Sequence, residues 1–133
     1  MHVHLSLGEE RYALPVGEVL SIVDVDGVSP VLGAPSSVLG LRALDGQLLP
    51  IFRLSTVMGV AGGEPRRIVV VAHEGRTAGL AVDDVLDVAD VAGSPDDAPE
   101  SERLRGSVLI GDALVGVIDL AAVLASLERE LSA

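Results

Sequence analysis

The sequence predicts an all-β protein of two small barrels followed by one amphipathic helix, and three observations predict it. Short runs rich in Val, Leu and Ile recur at intervals of roughly 8 to 12 residues, the spacing of a sandwich or barrel. The pairs Asp45-Gly46, Glu74-Gly75 and Gly111-Asp112 sit between such runs, where a tight hairpin turn demands positive φ. Helical periodicity is confined to the carboxy-terminal stretch, where Leu120, Val123, Leu124, Leu127 and Leu131 share one stripe.

The elements follow in order. Val3, Leu5 and Leu7 alternate with His2, His4 and Ser6, the period-2 pattern of a half-buried strand. Residues 8–11 turn the chain, residues 12–16 resume an apolar run, and residues 19–25 form a β-branched strand after a short irregular turn at Pro15-Val16-Gly17. Pro30 and Pro35 bracket a loop, because each drives its predecessor out of helical geometry. Residues 38–44 and 47–52 flank Asp45-Gly46 as a hairpin.

Residues 54–58 make about one helical turn before Gly59, and a loop occupies 60–65. Strands at 68–72 and 78–86 flank Glu74-Gly75 as a second hairpin. Residues 93–105 carry Pro95, Pro99 and several acids, the composition of an exposed loop. A third hairpin joins 107–110 to 113–118, and Asp119 caps the closing helix at 119–132. The loop at 59–65 divides the strands into two sets, 1–58 and 66–118, within a single domain spanning 1–133.

Composition excludes several functions. The chain of 133 residues has no cysteine, which removes disulfides, zinc-thiolate sites and thiol nucleophiles, and the cytoplasm is the default compartment. Apolar residues reach 49%, yet the longest candidate span, 109–127, is broken by Asp112 and Asp119, so direct membrane insertion is not expected. The amino terminus lacks the basic start and apolar segment of a signal peptide, and Met1 standing directly at the first strand reads as a complete gene product. A net charge of −11 repels phosphate backbones, and with only Tyr12 and Phe52 as aromatics no base-stacking platform can be built; nucleic acid is not an expected partner.

The residues that carry chemistry elsewhere read here as structural. His2 and His4 share a strand face but lack a third ligand, and they read as exposed imidazoles near a terminus, with His73 at a strand end. Asp83, Asp84, Asp87, Asp90, Asp96, Asp97, Glu100 and Glu102 offer paired carboxylates, but no Trp or Asn accompanies them to bind sugar, and a solvated face accounts for them. No serine lies in a Gly-x-Ser-x-Gly elbow, and the chain has no lysine for a phosphate loop. No catalytic residue, metal or cofactor is expected.

The order of segments carries a resemblance. Residues 10–16, Val19, Pro30, Ala34-Pro35 and 40–54, followed by 67–71, 79–85, 106–108 and 114–120, resemble the CheW-like family across nearly the whole chain. The most specific piece is 44–54, which is similar to that family's Leu-Arg-Gly-x-hydrophobic-hydrophobic-Pro-hydrophobic-hydrophobic-Asp-Leu hairpin. The resemblance implies two stacked SH3-like five-stranded β-barrels with a C-terminal amphipathic helix, and no catalysis. It implies an adaptor recruited to chemoreceptor arrays, coupling the cytoplasmic tip of a chemoreceptor to the regulatory domain of a CheA-type histidine kinase.

Carried over by motif, Val19, Ser21, Gly40, Leu44, Asp45 and Gly46 fall on or near the receptor-facing side, while Pro50 and Leu54 shape the hairpin and core. The chain departs from the pattern at three places: Asp45 stands where the family has arginine, Arg53 where it has aspartate, and Ser21 at a position often filled by glutamate. An Arg-Glu pair gives charge-assisted definition that Ser21 and Asp45 can replace with one hydroxyl-to-carboxylate hydrogen bond at most. The expectation is a specialised partner set; the alternative is an array component or inhibitor that binds only receptor or only kinase.

Overall fold

The computed structural model describes residues 1–90 and 103–132. Strands β1 (His2–Leu7) and β2 (Glu10–Pro15) lead through a 3-10 turn (Val16–Glu18) into β3 (Val19–Asp24). β4 (Val38–Leu44) and β5 (Gln47–Arg53) form the hairpin around Asp45-Gly46, whose φ angles of 49° and 78° are those the turn requires. Helix α1 (Leu54–Met58) stops at Gly59, which takes a left-handed φ of 70° and donates its N–H back to the Thr56 carbonyl. β6 (Arg67–His73), β7 (Arg76–Val82), β8 (Asp84–Ala89), β9 (Leu104–Ile110) and β10 (Ala113–Ile118) precede helix α2 (Leu120–Ser132).

Ten described strands make two five-stranded sheets, β8-β1-β2-β10-β9 and β3-β6-β7-β5-β4. Each joins its five strands by three antiparallel pairings and one parallel pairing, β10 with β2 and β5 with β7. The expected division at 1–58 and 66–118 does not coincide with these sheets. The second sheet is the continuous stretch from Val19 to Val82, and the first is assembled from both ends of the chain. Hairpin turns fix which neighbours pair locally, but the parallel pairings that join distant strands leave no mark in local sequence.

Two further expectations change for the same reason. The strand expected over 78–86 ends at Val82, and its remainder becomes β8 in the other sheet, with Asp83 alone between them. The loop expected over 93–105 lies mostly outside the described residues, and its last two positions, Leu104 and Arg105, belong to β9.

Three apolar clusters hold the fold. The largest lies between the sheets and under α2, drawing Leu5, Leu7 and Leu14 from the first sheet, Phe52, Val69, Val71, Leu80 and Val82 from the second, and Leu120, Val123, Leu124 and Leu127 from the helix. A second fills the curl of the second sheet with Leu49, Ile51, Ile68, Val70 and Ala81, and a third fills the first with Ala13, Val108, Val115 and Val117. Successive β6 residues therefore serve different clusters, which is why its apolar run is continuous and not alternating. Gly79 is where Ile51 and Ile68 need the space: a Cβ there would fall 2.4 Å from Ile51 Cδ1.

The same double burial corrects the reading of the first strand. β1 gives Leu5 and Leu7 to the cluster between the sheets, while His4, on its other face, stands opposite Ala13 of the cluster inside the first sheet and is 3% exposed where an exposed imidazole was expected. Its Nδ1 lies 3.2 Å from Asp87 Oδ1 on β8, while Nε2 has no hydrogen-bond partner. His2 is half-buried, with Nδ1 also lacking a partner; burial first, then the amino-terminal charge and Arg105, lower its pKa from the ordinary value. α2 begins as expected, with Asp119 Oδ1 accepting from the Ala122 N–H at 3.1 Å, but Leu131 at its far end is 52% exposed and not part of the core.

Candidate functional site

β3 and β4 are opposite edges of the second sheet, and its curl brings them together. The Arg42 guanidinium on β4 donates to the Asp24 carbonyl at the end of β3, and Ser29 and Leu41 exchange backbone hydrogen bonds of 2.8 and 2.9 Å. Arg67 on β6 pairs with the Asp24 carboxylate, so two arginines converge on one residue at this seam. The six residues singled out in the sequence all belong to these two edges and the hairpin turn.

They differ in what they present. Ser21, Asp45 and Gly46 are exposed. Val19 is half-buried against the cluster between the sheets, and Leu44 against the one inside the second sheet. Gly40 is buried under the loop before it: a Cβ would fall 2.3 Å from the Ser29 carbonyl oxygen and 2.8 Å from Val28 Cγ1, so its place is steric. No side-chain hydrogen bond or ion pair joins Ser21 to Asp45, and the single bond open to them is not made.

The structure adds apolar residues that sequence reading did not single out. The register of β3 slips between Val19 and Ser21, a bulge that leaves Leu20 at 62% exposed beside Ile22 at 39%. On the β4–β5 hairpin Leu48 is exposed, and on the β9–β10 hairpin Leu109 and Leu114 face each other across the strands, both exposed. Alternation marked these residues as strand, but nothing local distinguishes an apolar residue turned outward from one turned in.

A shallow groove of about 250 Å³ runs between α2 and the second sheet, lined by Pro50, Phe52, Ala78, Leu124, Leu127 and Leu131. Arg76 spans its rim to Glu128 at 3.0 Å, and Ser37 Oγ donates to Glu130 Oε1 at 2.7 Å, so the last turns of α2 are fastened to the second sheet by polar bonds at both sides. At the start of β3, His73 Nδ1 lies 3.3 Å from Glu18 Oε2, tying the end of β6 to the 3-10 turn. Among the described residues, no three His, Asp or Glu side chains come together in a metal-holding arrangement. No described helix is long and apolar enough to cross a membrane.

Fold and surface define a two-sheet β protein that displays apolar side chains on sheet edges and hairpins. The chain belongs to the CheW-like domain family, whose model matches residues 2–128. It is 32% identical over 134 residues to the chemotaxis protein CheW of Rhizobium meliloti (strain 1021), covering 93% of this chain and 86% of that protein. It is 28% identical over 136 residues to the CheW of Klebsiella aerogenes, covering 95% and 82%. The crystal structure of the scaffolding protein TtCheW from Thermoanaerobacter tengcongensis matches with a TM-score of 0.78 at 24% identity, over 89% of this chain and 87% of that one, and shows the shared fold.

Proposed function

We propose that this chain is a non-catalytic coupling scaffold of bacterial chemosensory signalling, which holds the helical cytoplasmic tip of a chemoreceptor on one surface and the regulatory domain of a CheA-type histidine kinase on another. It works in the cytoplasm, recruited to receptor arrays. The observation that carries this reading is the distribution of exposed apolar side chains on a body whose family is established. Leu20 and Ile22 flank Ser21 on the edge of the second sheet, whereas Leu109 and Leu114 sit on a hairpin of the first. Two patches on different sheets suit two partners bound together.

The receptor tip docks at the β3–β4 seam, where Val19, Leu20, Ile22 and Leu44 supply apolar contact and Ser21, Asp45 and Gly46 form the polar rim. Gly40 acts from beneath by letting the preceding loop close on β4. The kinase domain pairs with the β9–β10 hairpin face at Leu109 and Leu114. With Asp45 in place of arginine and no partner for it across the seam, the receptor that fits presents a basic or neutral group there, which makes the partner set specialised.

The test is a titration of the purified chain against two reagents from its own genome, a soluble receptor-tip fragment and the regulatory domain of the nearest CheA-type kinase. Binding to both, and simultaneously, is expected. Binding to one alone moves the reading to an array component or inhibitor, and binding to neither overturns it.

A further inference from the structure

The chain passes between the two sheets at the 3-10 turn and at Asp83, and the second crossing is a single residue between β7 and β8. Everything that holds Asp83 therefore holds one sheet against the other. Its Oδ2 accepts the Gly8 N–H, in the β1–β2 turn of the first sheet, at 2.7 Å. The same oxygen accepts the Gly63 N–H, in the segment leading into β6 of the second sheet, also at 2.7 Å. Its own N–H donates to the Ser6 carbonyl on β1 at 3.2 Å. Hydrogen bonds to a carboxylate are short and roughly twice as strong as neutral ones, so one oxygen gathers two segments that share no other bond of this kind.

The backbone around this carboxylate has no room for side chains. A Cβ on Gly8 would fall 2.3 Å from the Ala61 carbonyl oxygen, one on Gly62 2.6 Å from Ser55 Cβ, and one on Gly63 3.0 Å from Asp83 Oδ2. A cleft of about 450 Å³ lined by Gly8, Glu9, Glu10 and residues 60–63 opens beside it. The junction is thus a glycine seam closed on one half-buried carboxylate at the mouth of an open cleft, and not a continuation of the apolar core.

We propose that Asp83 is the positioning residue that sets the angle between the two sheets, and with it the spacing of the two apolar patches that lie on different sheets. The effect on partners rests on the coupling reading above; the effect on the angle does not. Asp83→Ala strips both glycine amides of their acceptor, Asp83→Asn keeps the shape but weakens both bonds, and Gly8→Ala wedges the first-sheet turn against the Ala61 carbonyl with the carboxylate intact.

The absence of cysteine lets spin labels be placed cleanly at Glu9→Cys and Thr56→Cys, exposed positions at the first-sheet turn and on α1 against the second sheet. One narrow inter-label distance is expected in the otherwise native chain, with a broadened or displaced distribution in all three variants. Exchange protection of the Gly8 and Gly63 amides is expected to fall by about tenfold or more in Asp83→Ala. If that variant does not fold, Asp83→Asn and Gly8→Ala carry the test, and an unchanged distribution in both overturns the proposal. Binding of receptor tip and kinase domain together is expected to lose about tenfold while each alone is held nearly as before. A shifted distribution with neither partner bound by the native chain sinks the coupling reading and leaves the clamp standing; an unshifted one with coupling intact does the reverse.

Discussion

Asp45 shows how one residue can satisfy the backbone and alter the surface together. At φ 49° it occupies a turn position that Asp tolerates through local hydrogen bonding, so the hairpin closes without arginine. Replacing it by arginine is expected to leave fold and kinase binding unchanged but to shift receptor-tip affinity by roughly 3- to 10-fold, an ordinary effect for a rim charge at an interface, read by titration at two salt concentrations. Equal affinity for the native chain and Asp45→Arg at both salts removes this side chain from the receptor surface. His2 provides a second test. Its pKa is lowered from 6.5, chiefly by burial, so the unfolded chain takes up a proton before the folded one does. Its contribution to stability is present above pH 6.5 and is lost as pH falls through that value toward the lowered one. Urea midpoints measured from pH 7 to 5 are expected to fall for the native chain and to fall less for His2→Gln.

Elements were legible where local chemistry decides them. Asp45-Gly46, Glu74-Gly75 and Gly111-Asp112 each close a hairpin, Gly59 ends α1, and Asp119 opens α2, because turns and caps are written into two or three adjacent residues. Asp119→Ala is expected to cost about 1 kcal/mol by chemical denaturation, the usual value of a lost N-cap. The run at 78–86 was misread because Val82 and Val85 are equally apolar and nothing in that run announces that the chain changes sheets at Asp83. His4 departs likewise: period 2 assigns it to the face opposite Leu5, but that this face turns into the cluster of Ala13, Val108, Val115 and Val117 is decided by β9 and β10, far away in the sequence. Leu109 and Leu114 illustrate the opposite case, apolar residues within continuous apolar runs that face outward next to the buried Val108 and Val115. Leu114→Ser is expected to leave the unfolding midpoint within about 0.5 kcal/mol of native, as surface changes usually do, while weakening kinase-domain binding.

At the scale of the molecule, the sequence offers the candidate site as a set of positions and not as a surface: the resemblance names six residues, and the fold buries Gly40 under the preceding loop and leaves Leu20 and Ile22 exposed beside Ser21. The fold class followed from turns and alternation, but the assignment of strands to sheets did not, and that assignment governs how the protein must unfold. The second sheet is one continuous stretch from Val19 to Val82, which invites the idea that it is an independent unit. Its cluster of Leu49, Ile51, Ile68, Val70 and Ala81 is small, however, and its other face gives Phe52, Val69, Val71, Leu80 and Val82 to the cluster shared with the first sheet and α2. Taken alone it would expose that whole face to water, at about 1.5 to 3 kcal/mol for each large side chain. The two sheets are therefore expected to melt in one transition, with calorimetric and van't Hoff enthalpies equal. Leu80→Ala in the shared cluster, expected to cost about 2 to 5 kcal/mol, and Val115→Ala inside the first sheet should each move that same transition. Two resolved transitions, or a folded fragment 19–82, would show instead that the sheets are domains in contact, and then the shared cluster would be an interface that either sheet can survive without.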